Sequence, residues 1–244
     1  PLPPFPRAPT PSVSAVTLGS AATITLMPAS NAFVHTLRAR FGSRAETTIA
    51  TQTSATSVSW TPSLDEANAA PNATSVVGTL YCDTFSGGTL IGTTQLSVTA
   101  AIPTSIVPTG SVSFSEAEDG LLAQFGCFVQ RKSKLNVEIS AAGAYGSSVS
   151  SISTTVNGST YSGDFFSTNE LTTAGTNTIR TTITDSRGRT TTLTQTFDVV
   201  PYDVPVVQSV SVYRCDASGN ATNTGGYAMV TVAGSISAVN SANT

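Results

Sequence analysis

Three segments between residues 134 and 200 alternate apolar with small polar side chains: LNVEIS (135–140), SISTTVNGSTYSG (151–163) and NTIRTTITDSRGRTTTLTQTFDV (177–199). In the first segment Leu135, Val137 and Ile139 share one face of an extended chain, and polar residues share the other. Successive side chains of a strand point to opposite faces, so this period of two predicts half-buried β-strands. The stretch therefore predicts a β-sandwich, and it carries no pattern that indicates a reaction.

Two short segments within this stretch predict hairpin turns. Asn157 and Gly158 separate two alternating runs, and both residue types tolerate the positive φ of a type I′ turn. Residues 185–188 (DSRG) fit a type I turn that is closed by a glycine bulge. The strand after this turn is expected to carry an outward ladder of threonines: Thr190, Thr192, Thr194 and Thr196.

The N-terminal part of the chain shows similar signals. FVHTLRARF (33–41) alternates, with His35 on the face of its apolar residues. The segment SGG (86–88) lies between two strand-like runs and predicts a hairpin loop. LDEANAA (64–70) predicts one short helical turn that ends at Pro71, since proline cannot continue a helix.

Proline-containing segments divide the chain into four predicted parts. Residues 1–11 form a proline-rich extended segment, and residues 12–104 and 105–202 form two immunoglobulin-like sandwiches. Residues 203–244 contain only two strand patterns, which cannot bury a core by themselves. We therefore predict an all-β chain of tandem immunoglobulin-like antiparallel β-sandwiches, joined by short Pro-containing linkers. The last part is expected to begin a third, incomplete domain of a longer chain.

Charge and hydropathy argue against two classes of partner. Asp, Glu, Lys and Arg make up 10% of the residues, and the net charge is −3. A nucleic-acid-binding protein needs a basic surface, so no nucleic-acid partner is expected. No apolar run approaches the roughly 20 residues that cross a bilayer, so no membrane insertion is expected either.

The cysteines and the single histidine predict no catalytic or metal site. Cys82, Cys127 and Cys215 fall in different predicted domains, which favours free, buried thiols and assembly in a reducing cytoplasm. One bridge between domains or chains is the alternative. His35 is expected at the rim of a core, and one histidine with three dispersed cysteines does not make a zinc site.

One acidic cluster contains carboxylates of the kind that glycosidases use in pairs. Glu116, Glu118 and Asp119 lie within four residues of one another, whereas glycosidases use two carboxylates across a bound sugar. A solvated loop is the favoured interpretation. The sequence thus predicts no enzyme: no catalytic, cofactor-binding or metal-binding residue is assigned, no cofactor is expected, and the ligand-binding residues stay unknown.

Several long segments carry a resemblance to a known family. Residues 112–163 (VSFSEAEDG…STYSG), residues 176–205 (TNTIRTTITDSRG…VPYDVP) and residues 33–62 resemble tail or minor structural proteins of siphophages and prophages of Gram-positive bacteria. RCDASGNATNTGGYAMVTV (214–232) is similar to the start of a following domain in that family. The resemblance covers nearly the whole chain after its proline-rich start.

The resemblance implies a function but no catalytic residue. It implies a virion tail-tip, fibre or spike protein that spaces or displays host-contacting parts, assembled in the host cytoplasm. Other tail proteins, a host cell-wall polysaccharide and further copies of the chain, as a trimer or larger homo-oligomer, are its expected partners. Two alternatives stay open at this point: a bacterial cell-surface stalk or adhesin built of immunoglobulin-like repeats, and a wall-degrading enzyme.

Overall fold

The computed structural model describes residues 8–242. Of the predicted proline-rich segment 1–11, residues 1–7 lie outside the described part. Pro9 and Pro11 are buried, and the Thr94 hydroxyl donates to the Pro9 carbonyl at 2.5 Å. The end of this segment is therefore packed against the strands that follow.

The chain is all-β, as the sequence predicts. A 3-10 helix spans Leu64–Ala69, and one short α-helix, α1, spans Leu121–Phe125. The strands, in chain order, are β1 (Ser12–Val13), β2 (Val16–Thr17), β3 (Ala22–Thr25), β4 (Phe33–Phe41), β5 (Thr47–Thr53), β6 (Ser57–Trp60), β7 (Ser75–Ser86), β8 (Thr89–Ala101), β9 (Thr109–Glu116), β10 (Phe128–Val129), β11 (Leu135–Ala142), β12 (Val149–Val156), β13 (Ser159–Ser162), β14 (Phe165–Ser167), β15 (Gly175–Asp185), β16 (Thr190–Val200), β17 (Val206–Cys215) and β18 (Tyr227–Ser235).

The chain forms two compact units. The first comprises residues 1–111, 140–152 and 182–192, and the second comprises residues 112–139, 153–181 and 193–244. The turn between β15 and β16 and the beginning of β12 thus belong to the first unit. The predicted domain boundaries at 104/105 and 202/203 stay a prediction.

The first unit contains a β-sandwich. Its three-stranded sheet has the order β1-β3-β6, and its five-stranded sheet has the order β2-β8-β7-β4-β5. Ile24 and Trp60 from the smaller sheet share one buried cluster with Leu37 and Leu80 from the larger sheet. Because both sheets bury the same cluster, they are the two layers of one sandwich. The predicted helical turn before Pro71 is confirmed by the 3-10 helix.

The strand pattern from residue 134 to residue 200 is confirmed. Its strands lie in a five-stranded sheet, β10-β16-β15-β12-β13, and a three-stranded sheet, β14-β11-β9. Within the second unit, Phe114 of β9 contacts Phe128 of β10 and Phe197 of β16, with ring centroids 6.2 and 5.6 Å apart. Alternate residues of β11 are buried, and the predicted threonine ladder on β16 is exposed.

The predicted turns are also confirmed. Asn157 and Gly158 have φ values of 49° and 78° and connect the paired residues Val156 and Ser159. Gly87 and Gly88 likewise form a two-residue loop between β7 and β8, with positive φ at both positions. Positive φ at both central residues is what a type I′ turn requires, and asparagine and glycine adopt it most readily.

Strands β17 and β18 form an isolated antiparallel hairpin within the second unit. Almost every residue of both strands is exposed, as expected for two strands without a second layer. One face carries a row of valines that are 56–64% exposed: Val207, Val210, Val212, Val230 and Val232. Cys215 is the one buried residue in the two strands of this hairpin.

Candidate functional site

Arg187, in the predicted DSRG turn, is buried in the first unit and is only 7% exposed. Its guanidinium donates hydrogen bonds to four backbone carbonyls, those of Ala67 (2.9 Å), Ala70 (3.2 Å), Ala144 (2.7 Å) and Tyr145 (2.5 Å). Two of these carbonyls belong to the end of the 3-10 helix, where the Ala70 N–H also donates to the Ala67 carbonyl at 2.9 Å. One side chain therefore joins the turn, the helix end and the loop around residue 144.

Asp185 fixes the turn that presents Arg187. Its Oδ1 atom accepts the backbone N–H groups of Arg187 (2.9 Å) and Arg189 (2.8 Å), and the Gly188 N–H donates to the Asp185 carbonyl at 2.9 Å. Burial lowers the pKa of Arg187, and the nearby Asp185 carboxylate opposes that effect. A guanidinium nevertheless stays protonated in proteins, so a charged group is held here by neutral carbonyls and one carboxylate.

Arg189 makes a second set of backbone contacts from the same turn. It donates to the carbonyls of Ile102 (2.6 Å), Pro103 and Ile106 (2.8 Å). Ile102 and Ile106 are 3% and 7% exposed and belong to the core of the first unit. This part of the predicted Pro-containing linker is thus held by two kinds of contact. Its isoleucine side chains pack in the core, and its carbonyls accept hydrogen bonds from the Arg189 guanidinium.

The first unit also has an open cleft of about 320 Å³. Trp60 lies in its wall and stacks on Phe41, with ring centroids 6.0 Å apart and ring planes 16° apart. Glu66, which also lines the cleft, is 7% exposed, and its Oε2 atom lies 3.3 Å from Arg44 Nε. Neither of these two atoms has a hydrogen-bond partner among the described residues.

The structure corrects the predicted place of His35. The side chain is fully buried in the core and does not lie at its rim, because β4 is flanked by β5 and β7 and this face of β4 covers the core. His35 Nδ1 lies 3.0 Å from the Thr84 hydroxyl and 3.8 Å from Cys82 Sγ. Burial lowers the pKa of His35. The contacts are those of a structural side chain.

The prediction of free cysteines is confirmed, and the prediction that all are buried is wrong for one of them. Cys82 and Cys215 are buried, whereas Cys127 is half-buried. Cys127 lies in the short loop between α1 and β10. Burial raises the pKa values of Cys82 and Cys127.

Glu118 and Asp119 lie in a partly exposed loop, as predicted, whereas Glu116 ends β9 and binds backbone. Glu116 Oε1 accepts the backbone N–H groups of Lys134 (3.0 Å) and Glu118 (3.2 Å), and Glu118 pairs with the Lys134 ammonium at 2.7 Å. These carboxylates are used by neighbouring groups of the second unit. Within residues 8–242 no three His, Cys, Asp or Glu side chains are grouped to hold a metal ion.

Together these features define a class of protein: an all-β chain of immunoglobulin-like sandwiches whose buried polar groups serve structure. A family model described as "Siphovirus protein of unknown function (DUF859)" matches residues 1–235, and the chain belongs to that family. It is therefore a bacteriophage protein, and the membership confirms the resemblance to siphophage proteins that its sequence shows. It disfavours the bacterial surface stalk.

Solved structures give only distant similarity. The fibronectin(III)-like modules of Clostridium thermocellum CbhA match with 12% identity and a TM-score of 0.32, over 79% of this chain and 95% of that one. Protocadherin gammaB7 EC3-6 matches with 14% identity and a TM-score of 0.35, over 82% and 49%. Dpr2 Ig1-Ig2 in complex with DIP-Theta Ig1-Ig3 matches with 11% identity and a TM-score of 0.32, over 83% and 74%. Such scores carry no argument about function.

No curated protein matches the chain significantly. Across the described residues, the helices are too short to cross a membrane.

Proposed function

We propose that this chain is a non-enzymatic structural component of a siphovirus tail, at the tail tip or in a fibre or spike. Family membership supports a structural role in the virion. The observation that carries the spacer role is the DSRG turn, from which Arg187 makes four hydrogen bonds to backbone carbonyls and Arg189 makes three.

A spacer keeps a fixed shape only if its irregular segments are held in one geometry. Hydrogen-bonded ladders fix the strands, whereas loops have no such ladder. Both arginines bind carbonyls of loops or of a helix end, so they order the segments that would otherwise vary. Hydrogen bonds from a charged donor are about twice as strong as neutral ones. Two well-satisfied guanidiniums would therefore stiffen the loops of the first unit, whose strands are already held by a buried core.

The proposal also names partners. Neighbouring tail proteins would bind the chain, and three or more copies would assemble around the tail. A host cell-wall polysaccharide is the proposed receptor, bound weakly by each copy and more firmly by the array through avidity. The protein would act in the virion tail after assembly in the host cytoplasm, with no nucleic acid or bilayer among its partners.

Antibody labelling of purified virus tests the location. Gold-conjugated antibodies raised against the chain should decorate the distal tail in negatively stained particles. Particles carrying a deletion of the gene for this chain should lose that label and serve as the control. Label on the capsid, or a chain found in infected cells and missing from purified particles, would contradict the tail assignment.

A binding assay tests the receptor half separately. Purified chain should sediment with cell walls of the host strain and remain bound after the wall proteins are removed. Walls from a resistant strain that has lost a surface polysaccharide are the matched control. If both wall preparations bind the chain equally, or neither binds it, the protein is a spacer only.

A further inference from the structure

The cleft beside Trp60 contains an unusual pair of charged groups. Glu66 lines the cleft, is 7% exposed, and has an Oε2 atom without a hydrogen-bond partner among the described residues. Arg44 Nε, 3.3 Å away, also lacks a hydrogen bond. Buried polar atoms are nearly always hydrogen-bonded, and exceptions require a physical reason. Turning this carboxylate toward a ligand would break its ion pair with the partly exposed Arg44 and no hydrogen bond at Oε2.

The other walls of the cleft combine hydroxyl groups with an apolar floor. Ser59, Thr61 and Ser63 supply hydroxyls that can donate a hydrogen bond, and the Thr47 hydroxyl, which already donates to the Ala39 carbonyl at 3.3 Å, can accept one. Ser63 Oγ already accepts from the Asp65 N–H at 3.1 Å, which leaves its own proton to donate. Ligand sites in proteins are typically clefts of about 300–1,000 Å³ with apolar walls and a few placed polar groups. The volume lies at the lower end of this range, and the lining is richer in hydroxyl groups than that of a typical apolar site.

The charges select the class of ligand. A cationic ligand would pair with Glu66, but the Arg44 guanidinium is already beside that carboxylate and would repel a second cation. An anionic ligand would be repelled by Glu66 itself. A neutral ligand with several hydroxyls suits this lining. Its hydroxyls can donate hydrogen bonds to the carboxylate, and they can donate to or accept from the hydroxyls of the walls. We propose that this cleft binds a neutral mono- or disaccharide unit, and the proposal rests on the saccharide binding suggested above.

The chain offers a direct probe of this site, because Trp60 is its only tryptophan. Intrinsic fluorescence of the full chain would be titrated with neutral disaccharides: lactose, cellobiose, a rhamnosyl-glucose and N,N′-diacetylchitobiose. At least one should give a saturable change. Chitobiose, whose amines are cationic, should bind at least about tenfold more weakly than its N-acetylated form.

Isosteric variants locate the site. Glu66→Gln removes one charge and should raise Kd at least about tenfold, since hydrogen bonds to charged groups are the stronger ones. Thr61→Val removes one exposed hydroxyl and should raise Kd about three- to tenfold. Glu138→Gln, on the exposed face of β11 in the second unit, is the matched control and should leave Kd unchanged. Thermal unfolding of each variant would show that the fold is intact.

Two results would refute the proposal that this cleft binds a saccharide. One is no saturable change with any neutral sugar, which leaves the tail location to be judged by antibody labelling. The other is binding, measured by calorimetry, that survives Glu66→Gln and Thr61→Val and is lost in Phe165→Ala. Phe165 is 61% exposed beside Glu138 on the other unit. That outcome would keep saccharide binding and move it to the exposed face of the second unit.

Discussion

Replacing Arg187 with methionine should destabilise the first unit strongly. The change keeps much of the side-chain volume and removes the guanidinium that donates to four carbonyls. Ala67 is fully buried, and its carbonyl would keep only the Ala70 N–H as a partner, whereas Tyr145 lies near the surface and its carbonyl can be rehydrated. A hydrogen bond to a charged group contributes about 1.5–3 kcal/mol. Asp185 would also lose its charged neighbour.

These losses add to an expected decrease of about 3–5 kcal/mol in the free energy of unfolding, the range observed when one partner of a buried charge network is removed. A typical domain is stable by only about 5–15 kcal/mol, so the effect should be large. Arg187→Lys should lose less, about 2 kcal/mol, because an ammonium has three donors and cannot match the planar fork of a guanidinium.

Urea unfolding of the full chain would measure this effect. Trp60 lies in the first unit, so its fluorescence reports the unfolding of that unit alone. Arg40→Met is the matched control, because Arg40 is an exposed residue of β4 in the first unit and surface substitutions usually change stability by less than about 0.5 kcal/mol. If Arg187→Met shifts the urea midpoint no further than Arg40→Met does, the Arg187 contacts do not stabilise the unit and the stiffness argument is wrong.

Three further outcomes are expected. Replacing both Asn157 and Gly158 with alanine should cost about 1–3 kcal/mol. Gly158→Ala adds a Cβ at a φ of 78°, which costs about 1–2 kcal/mol, and Asn157→Ala removes an amide that donates to the Glu170 carbonyl and the Thr172 hydroxyl; an unchanged thermal midpoint would contradict the turn assignment. Burial lowers the pKa of His35 below its ordinary 6.5, so as the pH falls the unfolded chain protonates this imidazole before the folded chain does. The free energy of unfolding should therefore fall as the pH falls below about 6.5. Urea midpoints of the native protein and of His35→Leu, each measured at pH 7.5 and at pH 5.0, isolate this effect. In hydrogen–deuterium exchange, the amides of β17 and β18 should exchange before those of β7 and β8, since an isolated hairpin buries little apolar surface, and equal protection would refute that.

The local structure was predictable because it depends on neighbours in sequence. The alternation of Leu135, Val137 and Ile139 defines a strand face, and the pair Asn157-Gly158 defines a turn through its own φ preferences. Neither requires knowledge of distant residues. The same reasoning placed His35 on the correct face of β4 but at the wrong depth, because burial depends on which strands flank β4 and on what covers them.

The roles of the charged side chains could not be predicted in the same way. Arg187 and Arg189 appear in the sequence as two scattered cations in a turn, a place where charge normally faces water. Their partners lie 83 to 120 residues away for the N-terminal carbonyls and 42 or 43 residues away for the loop carbonyls. Backbone carbonyls occur at every position, so no residue type marks them as partners. Glu66 likewise sits in an ordinary helical turn, and only the fold puts it in a cleft.

A chain with 10% charged residues can be stiff only if its few charges are well placed. Threonine-rich strands give exposed faces that stay wet without charge, and ladders fix those strands whatever their outer residues are. The segments between strands have no such ladder, and here the chain uses arginine, the side chain with the most donors in a fixed arrangement. The DSRG turn thus also orders other parts of the first unit. Asp185 fixes the conformation of the turn, and its two arginines bind the end of the 3-10 helix, the loop around residue 144 and the linker segment at residues 102–106. Sequence changes in the strands should therefore be tolerated far better than changes at residues 185, 187 and 189, and a scan of single substitutions that found the opposite would contradict this account.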